Sequence, residues 1–113
     1  MTLIPVCPEQ MGGLPTPRTP AEICAGDGQL VLAGKAKVID IDGRDVTDYF
    51  IRGAEQAWRL AHIFGAKGAI FKDGSPSCGI DTIYNGRFKK KMIRGCGVTT
   101  ALLTGRGLAV VDG

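Results

Sequence analysis

The sequence lacks any long apolar run. None approaches the ~20 residues that a membrane span needs, and no charged, apolar and small-residue succession of a secretory signal opens it. The expectation is a cytoplasmic protein with no membrane partner. In that compartment thiols stay reduced. Histidine is nearly missing: His62 is the sole one, and it falls on the polar side of a helical stretch, where a surface role is the plain reading. No CxxC pair occurs, which removes the usual signature of a self-contained zinc site. No Ser/His/Asp or Cys/His triad is visible. "GDGQLVLAG" has no helix after it and is no dinucleotide fingerprint. Charge of one sign is scarce too. The net charge is +3, with one basic cluster of Arg87, Lys89, Lys90, Lys91 and Arg94. It reads as a solvated turn or an anion-attracting rim, and no nucleic-acid polymer is expected as a partner.

What is present fits one globular domain over residues 1–113, with 44% hydrophobic and 22% charged residues. Glycine is abundant, 17 of 113, and falls in loops, where backbone turns sharply or approaches something closely. "LIPVC" (3–7) reads as a short strand, with Pro5 marking an edge or bulge. A Pro-rich loop follows to about Ile23. "QLVLAG" and "AKVIDIDG" read as a hairpin, or as a strand and its return. Residues 45–65 are the strong helix. Phe50, Ala54, Ala57, Ala61 and Phe64 share one face, Thr47 is the expected N-cap, and Gly65 suits the left-handed end. Asp48–Arg52 and Glu55–Arg59 stand at i,i+4 on the other side. "AKGAIFK" is a strand, "IYNGRF" carries a hairpin turn signal, "GVTTALLTG" is a short helix, and "LAVVD" is a last strand. The order predicts an α/β fold: an open, mainly parallel sheet with flanking helices and a β-hairpin, in three layers.

Open parallel sheets bind ligands outside the carboxyl ends of their strands. That rule singles out "CPEQMGG" and "DGSPSCG" and puts Cys7, Glu9, Ser75, Ser77 and Cys78 on one rim if their strands are parallel. Cys7 and Cys78 are either ordinary buried thiols or thiolates fixed by rigid turns, the usual ligands of iron–sulfur clusters. Glu9 is a solvated loop carboxylate or a general acid/base. Ser75 caps its own turn or offers a hydroxyl to substrate.

"CPEQMGGLPTPRTPAEI", "DVTDYFIRGAE", "FKDGSPSCG", "IYNGRF" and "GVTTALL", in this order from about Val6 to Val111, resemble the thiouracil desulfidase family. The resemblance implies an α/β fold with a [4Fe-4S] cluster held by three cysteines, whose open iron takes sulfur from a thiolated nucleobase of the 2-thiouracil type. The reaction is a net hydrolysis. Carried over by motif, Cys7 and Cys78 are cluster ligands, Glu9 and Ser75 are catalytic, and Ser77 is a substrate contact. Family members carry an upstream Cys-Leu-Leu-Gly segment with the third cysteine. This sequence does not show it, so an N-terminally truncated member is the expectation. Cys24 and Cys96 fall outside the ligand motifs and are only substitute candidates. The alternative is an inactive remnant, or a binding module that homodimerises through an exposed sheet edge. A zinc domain using all four cysteines is a third reading.

Overall fold

A computed structural model describes residues 3–113; Met1 and Thr2 lie outside the described residues. The chain runs α1 (Pro8–Met11), β1 (Ala21–Cys24), α2 (Gly28–Leu32), β2 (Lys37–Asp40), α3 (Thr47–Ile63), β3 (Gly68–Phe71), β4 (Thr82–Tyr84), β5 (Met92–Arg94), α4 (Val98–Gly105) and β6 (Ala109–Asp112). The class is α/β, with a parallel sheet and flanking helices. Parallel pairing joins β3 to β6, with Gly68 opposite Ala109 and Phe71 opposite Asp112. The other pairs are antiparallel: β1 with β2, and β4 with β5. Among the described residues the strands form three two-stranded sheets. Among the described residues no helix is long and apolar enough to cross a membrane.

Two segments differ from the sequence expectation. Leu3–Cys7 belongs to no ladder. Pro5 has no N–H to offer one, and Pro8 instead opens α1 at the first-turn position that tolerates it. The "QLVLAG" stretch is helical rather than a strand. The Asp27 carboxylate accepts from Leu30 N at 3.2 Å, which caps α2. The strand that pairs with β2 is therefore β1, just after the Pro-rich loop.

The long helix forms as its periodicity predicts, with different end chemistry. Thr47 Oγ accepts from Val38 N at 2.9 Å and so ties the helix start to β2. Asp45 supplies the capping oxygen, accepting from Thr47 N at 3.0 Å. Gly65 takes φ +64°, the left-handed stop. Phe50, Ala54 and Ala57 are buried, but Phe64 is 63% exposed, so the last turn leaves the core. The i,i+4 pairs give way to longer-range partners. Glu55 receives two 2.9 Å bonds from Arg106 beyond α4, and Arg52 donates to the Gly12 carbonyl at 3.1 Å.

The core gathers Ile23, Val31, Val38, Val46, Phe50, Ala54, Ile83 and Val98 from both hairpin-like sheets and three helices. Each fully buried aliphatic or aromatic side chain stabilises by roughly 1.5–3 kcal/mol.

Two backbone-on-backbone contacts fix the loops that matter for function. A Cβ on Gly53 of α3 would overlap the Pro8 carbonyl, and one on Gly12 would overlap the Tyr49 carbonyl. The one-turn α1 thus lies directly on α3. At the start of α4, a Cβ on Gly97 would overlap the Ser77 carbonyl group. The free N–H groups of that helix end are satisfied by loop carbonyls: Val98 N donates to Pro76 O at 2.7 Å and Thr99 N to Ser77 O at 2.9 Å. The 73–82 loop is closed from its other side by one carboxylate. Asp73 Oδ1 accepts from the backbone N–H groups of Gly74 (2.9 Å), Ile80 (2.7 Å), Asp81 (3.2 Å) and Thr82 (3.2 Å), while Oδ2 accepts from the Thr82 hydroxyl at 3.0 Å.

Partial burial pushes the Asp73 carboxyl up, but the bonds from Ile80, Thr82 and Gly74 outweigh it and hold it below the usual carboxylate range. Because the folded pKa is the lower one, this stability is present above the unfolded value of about 3.9 and is lost as pH falls through the folded one. Asp73→Asn is expected to destabilise by about 1–2 kcal/mol at pH 7, and the gap to wild type should close in acid. A gap independent of pH in urea titrations would contradict this. Phe50→Ala should cost about 3–5 kcal/mol in the same assay; a loss within about 0.5 kcal/mol, the range of an ordinary surface change, would place Phe50 outside the core.

Candidate active site

Cys7 ends the extended N-terminal segment, and Glu9 sits in the first turn of α1. The α1–α3 contact carries both toward the 73–82 loop. Glu9 and Ser75 meet in one cleft of about 360 Å³, walled also by Glu22, Asp73 and Tyr84. A second cleft, of about 480 Å³, lies on the other side of Glu9, between the Pro-rich loop and α3; Arg18, Arg44 and Tyr49 line it.

Cys78 is held from several sides. Its N–H donates to Ser75 Oγ at 2.7 Å, and its sulfur lies 3.3 Å from Ser77 Oγ. Burial pushes the Cys78 thiol up. The hydrogen bonds to Ser77 and Ser75 pull it down, while the nearby Glu9 and Cys7 push it up again. Glu9 and Cys7 therefore lie near enough to Cys78 to act on it through their charge. The net effect keeps Cys78 a thiol near neutral pH.

Ser75 therefore does what its turn-capping reading predicts, and it also faces the cleft. Its oxygen is engaged by the Cys78 amide, which leaves its hydrogen available to donate. Ser77 differs: it is 1% exposed, and its hydroxyl lies against the Cys78 sulfur. Neither cleft includes it among its walls.

The other cysteines sit elsewhere. Cys24 approaches the Gly86 carbonyl at 3.5 Å. Burial and Glu22 raise its thiol pKa. Cys96 lies beside the Gly28 and Gln29 amides; burial first, then Asp27, raises it. All four cysteines are free. Among the described residues, no three or more His, Cys, Asp or Glu side chains form a group that could hold a metal ion. Arg18 bonds the Cys7 sulfur, and Ser75 bonds the Cys78 amide. His62 is exposed and stacks on Trp58.

Three contributors escape a reading of spacing. Asp73 opens "DGSPSCG", and nothing in its spacing marks it as the loop's clamp. Glu22 accepts from Gly86 N at 2.9 Å and Phe88 N at 3.3 Å, which pins the β4–β5 turn beside the cleft. Arg18, within the prolines, donates to Cys7 Sγ at 3.1 Å and pairs with Glu9 at 3.4 Å.

Comparison with known proteins agrees with the motif resemblance. The uncharacterized protein YbbK of Bacillus subtilis (strain 168) is 47% identical over 106 residues, which cover 94% of this chain and 70% of that protein. A solved structure of the [4Fe-4S]-dependent thiouracil desulfidase TudS matches with a TM-score of 0.81 at 47% identity, over 94% of this chain. The present chain spans 64% of the length of that structure. The 2-thiouracil desulfurase pattern runs through residues 1–112, and the chain belongs to the 2-thiouracil desulfurase family.

Proposed function

We propose that this chain removes sulfur from a thiolated nucleobase of the 2-thiouracil type, as a single domain working with an iron–sulfur cluster in the reducing cytoplasm. The observation that supports the reading is a run of contacts: Arg18 bonds both Cys7 and Glu9, Glu9 shares a cleft with Ser75, and Ser75 holds the Cys78 amide.

The donor chemistry fits a cluster at two positions. Cys7 and Cys78 are thiols on rigid backbone, one with a cationic N–H donor on its sulfur and the other with the Ser77 hydroxyl at its sulfur and the Ser75 oxygen at its amide. Hydrogen bonds to ligating sulfurs are a normal part of such sites. These two residues would hold the cluster, and loading it displaces the Cys78 proton. When bound, the cluster supplies an iron that takes up the substrate sulfur.

The remaining work falls to side chains. The overall change is thioxo base plus water giving oxo base plus hydrogen sulfide. Water adds at the thiocarbonyl carbon, and Glu9 accepts its proton. Ser75, with its oxygen fixed by the Cys78 amide, donates its hydrogen to hold the base in the cleft. Ser77 supports the Cys78 sulfur beneath, and its sequence-expected contact with substrate would require it to become exposed.

A second reading, a binding module without turnover, is favoured by one feature: among the described residues no three or more His, Cys, Asp or Glu side chains form a group that could hold a metal. Ile70 and Val111, 59% and 54% exposed on the β3–β6 pair, are the apolar surface through which such a module would dimerise.

Anaerobic reconstitution with iron and sulfide, followed by assay of sulfide released from 2-thiouracil, separates the readings. Wild type should load iron and release sulfide. Cys7→Ala and Cys78→Ala should each lose the visible absorbance. Glu9→Gln should keep it and lose about 10²–10⁴ in turnover. Alanine variants that load iron like wild type would contradict the site. A protein without iron or sulfide release that sediments as a dimer would support the binding module.

A further inference from the structure

Between Leu14 and Pro20 the prolines and threonines wrap one long side chain, Arg18. Its guanidinium makes contacts on two edges. Nη1 donates to the Pro15 carbonyl at 2.9 Å and to Thr16 Oγ at 3.0 Å, both in its own loop. Nε reaches Glu9 Oε1 at 3.4 Å, and Nη2 donates to Cys7 Sγ at 3.1 Å. We propose that Arg18 is the positioning residue of the site: anchored by its own loop, its free edge holds the Glu9 carboxylate and the Cys7 sulfur in one fixed arrangement.

The argument is geometric. A guanidinium is planar, with five N–H donors in a rigid fork, so two acceptors on one edge are set relative to each other and not merely attracted. The bonds from Nη1 prevent the group from swinging to solvent. Arg18 and Glu9 are 20% and 22% exposed, so their interaction is less screened than a surface pair. Glu9 has little else to orient it. It sits on a single helical turn between two clefts, and among the described residues Arg18 is its side-chain hydrogen-bond partner. A lysine would restore the charge but could not span both acceptors while remaining tied to Pro15 and Thr16.

The plainer role is a stitch that closes the Pro-rich loop. The two roles predict different things. A stitch affects stability alone. A positioning residue affects how Glu9 works and, through the N–H on a ligating sulfur, the reduction potential of a bound cluster. Losing that donor lowers the potential, because the donor stabilises the more negative reduced form.

The catalytic half of this inference rests on the proposed function; the geometric half does not, and the test separates them. In metal-free, ¹⁵N-labelled protein, the Arg18 Nε–H resonance should exchange slowly with water and should shift on both Glu9→Gln and Cys7→Ser. In reconstituted protein, Arg18→Ala and Arg18→Lys should load iron like wild type, with KM for 2-thiouracil within threefold and kcat lowered at least tenfold. The potential should fall in Arg18→Ala, and Arg18→Lys should recover part of the potential but not of kcat. A resonance indifferent to both substitutions would overturn the inference. So would variants that melt earlier yet keep kcat per iron within twofold and an unchanged potential. If wild type neither loads iron nor releases sulfide, the functional reading fails, and the resonance still decides the placement of Arg18.

Discussion

Backbone lies directly against backbone at two points, Gly53 on Pro8 and Gly97 on Ser77, and a single methyl group at either would force the chains apart. The first contact sets α1, with Cys7 and Glu9, on the long helix. The second sets the Ser75–Cys78 turn on α4, whose first amides are then satisfied by the turn's own carbonyls. The two helices also pack on each other. The cysteine loops are therefore referred to one rigid frame.

Within that frame the carboxylates of the cleft divide by how fully they are engaged. Glu22 and Asp73 accept short bonds from backbone amides and act as clamps on the β4–β5 turn and the 73–82 loop. Glu9 is held by one longer contact, from Arg18 at 3.4 Å, and borders open space on two sides. Glu9 is thus the carboxylate left open to a ligand, the place the proposed reaction gives it.

Local pattern made the long helix, the last strand and its partner, the Asn-Gly hairpin and the two cysteine loops legible. Each is dictated by periodicity or by turn chemistry close in sequence. Parallel pairing of β3 and β6 followed from the helix between them. The misread segments were those where one residue in or beside an apolar run overrides its strand composition. Leu3–Cys7 looks apolar enough for a strand, yet Pro5 and Pro8 leave it without a regular donor pattern. Gln29–Leu32 has strand composition, but the Asp27 cap and the Gly28 bond to the Cys96 carbonyl commit it to a helical turn. The site shows the same division. Cys7, Glu9, Ser75 and Cys78, the residues of the proposed site, stand beside rigid turns that the sequence marks. Arg18 does not, because what it touches lies 9 and 11 residues back across a loop whose path no periodicity describes.

The central claim is that the Cys7 and Cys78 sulfurs face one site. Treating the reduced, metal-free protein with a monophenyl arsenical, in a Cys24→Ala/Cys96→Ala background, tests it directly, because one arsenic bridges two thiols only where they stand close together. The account predicts one adduct per chain by intact mass, with both Cys7 and Cys78 protected from alkylation. No stable adduct, or one that leaves either thiol reactive, would contradict it.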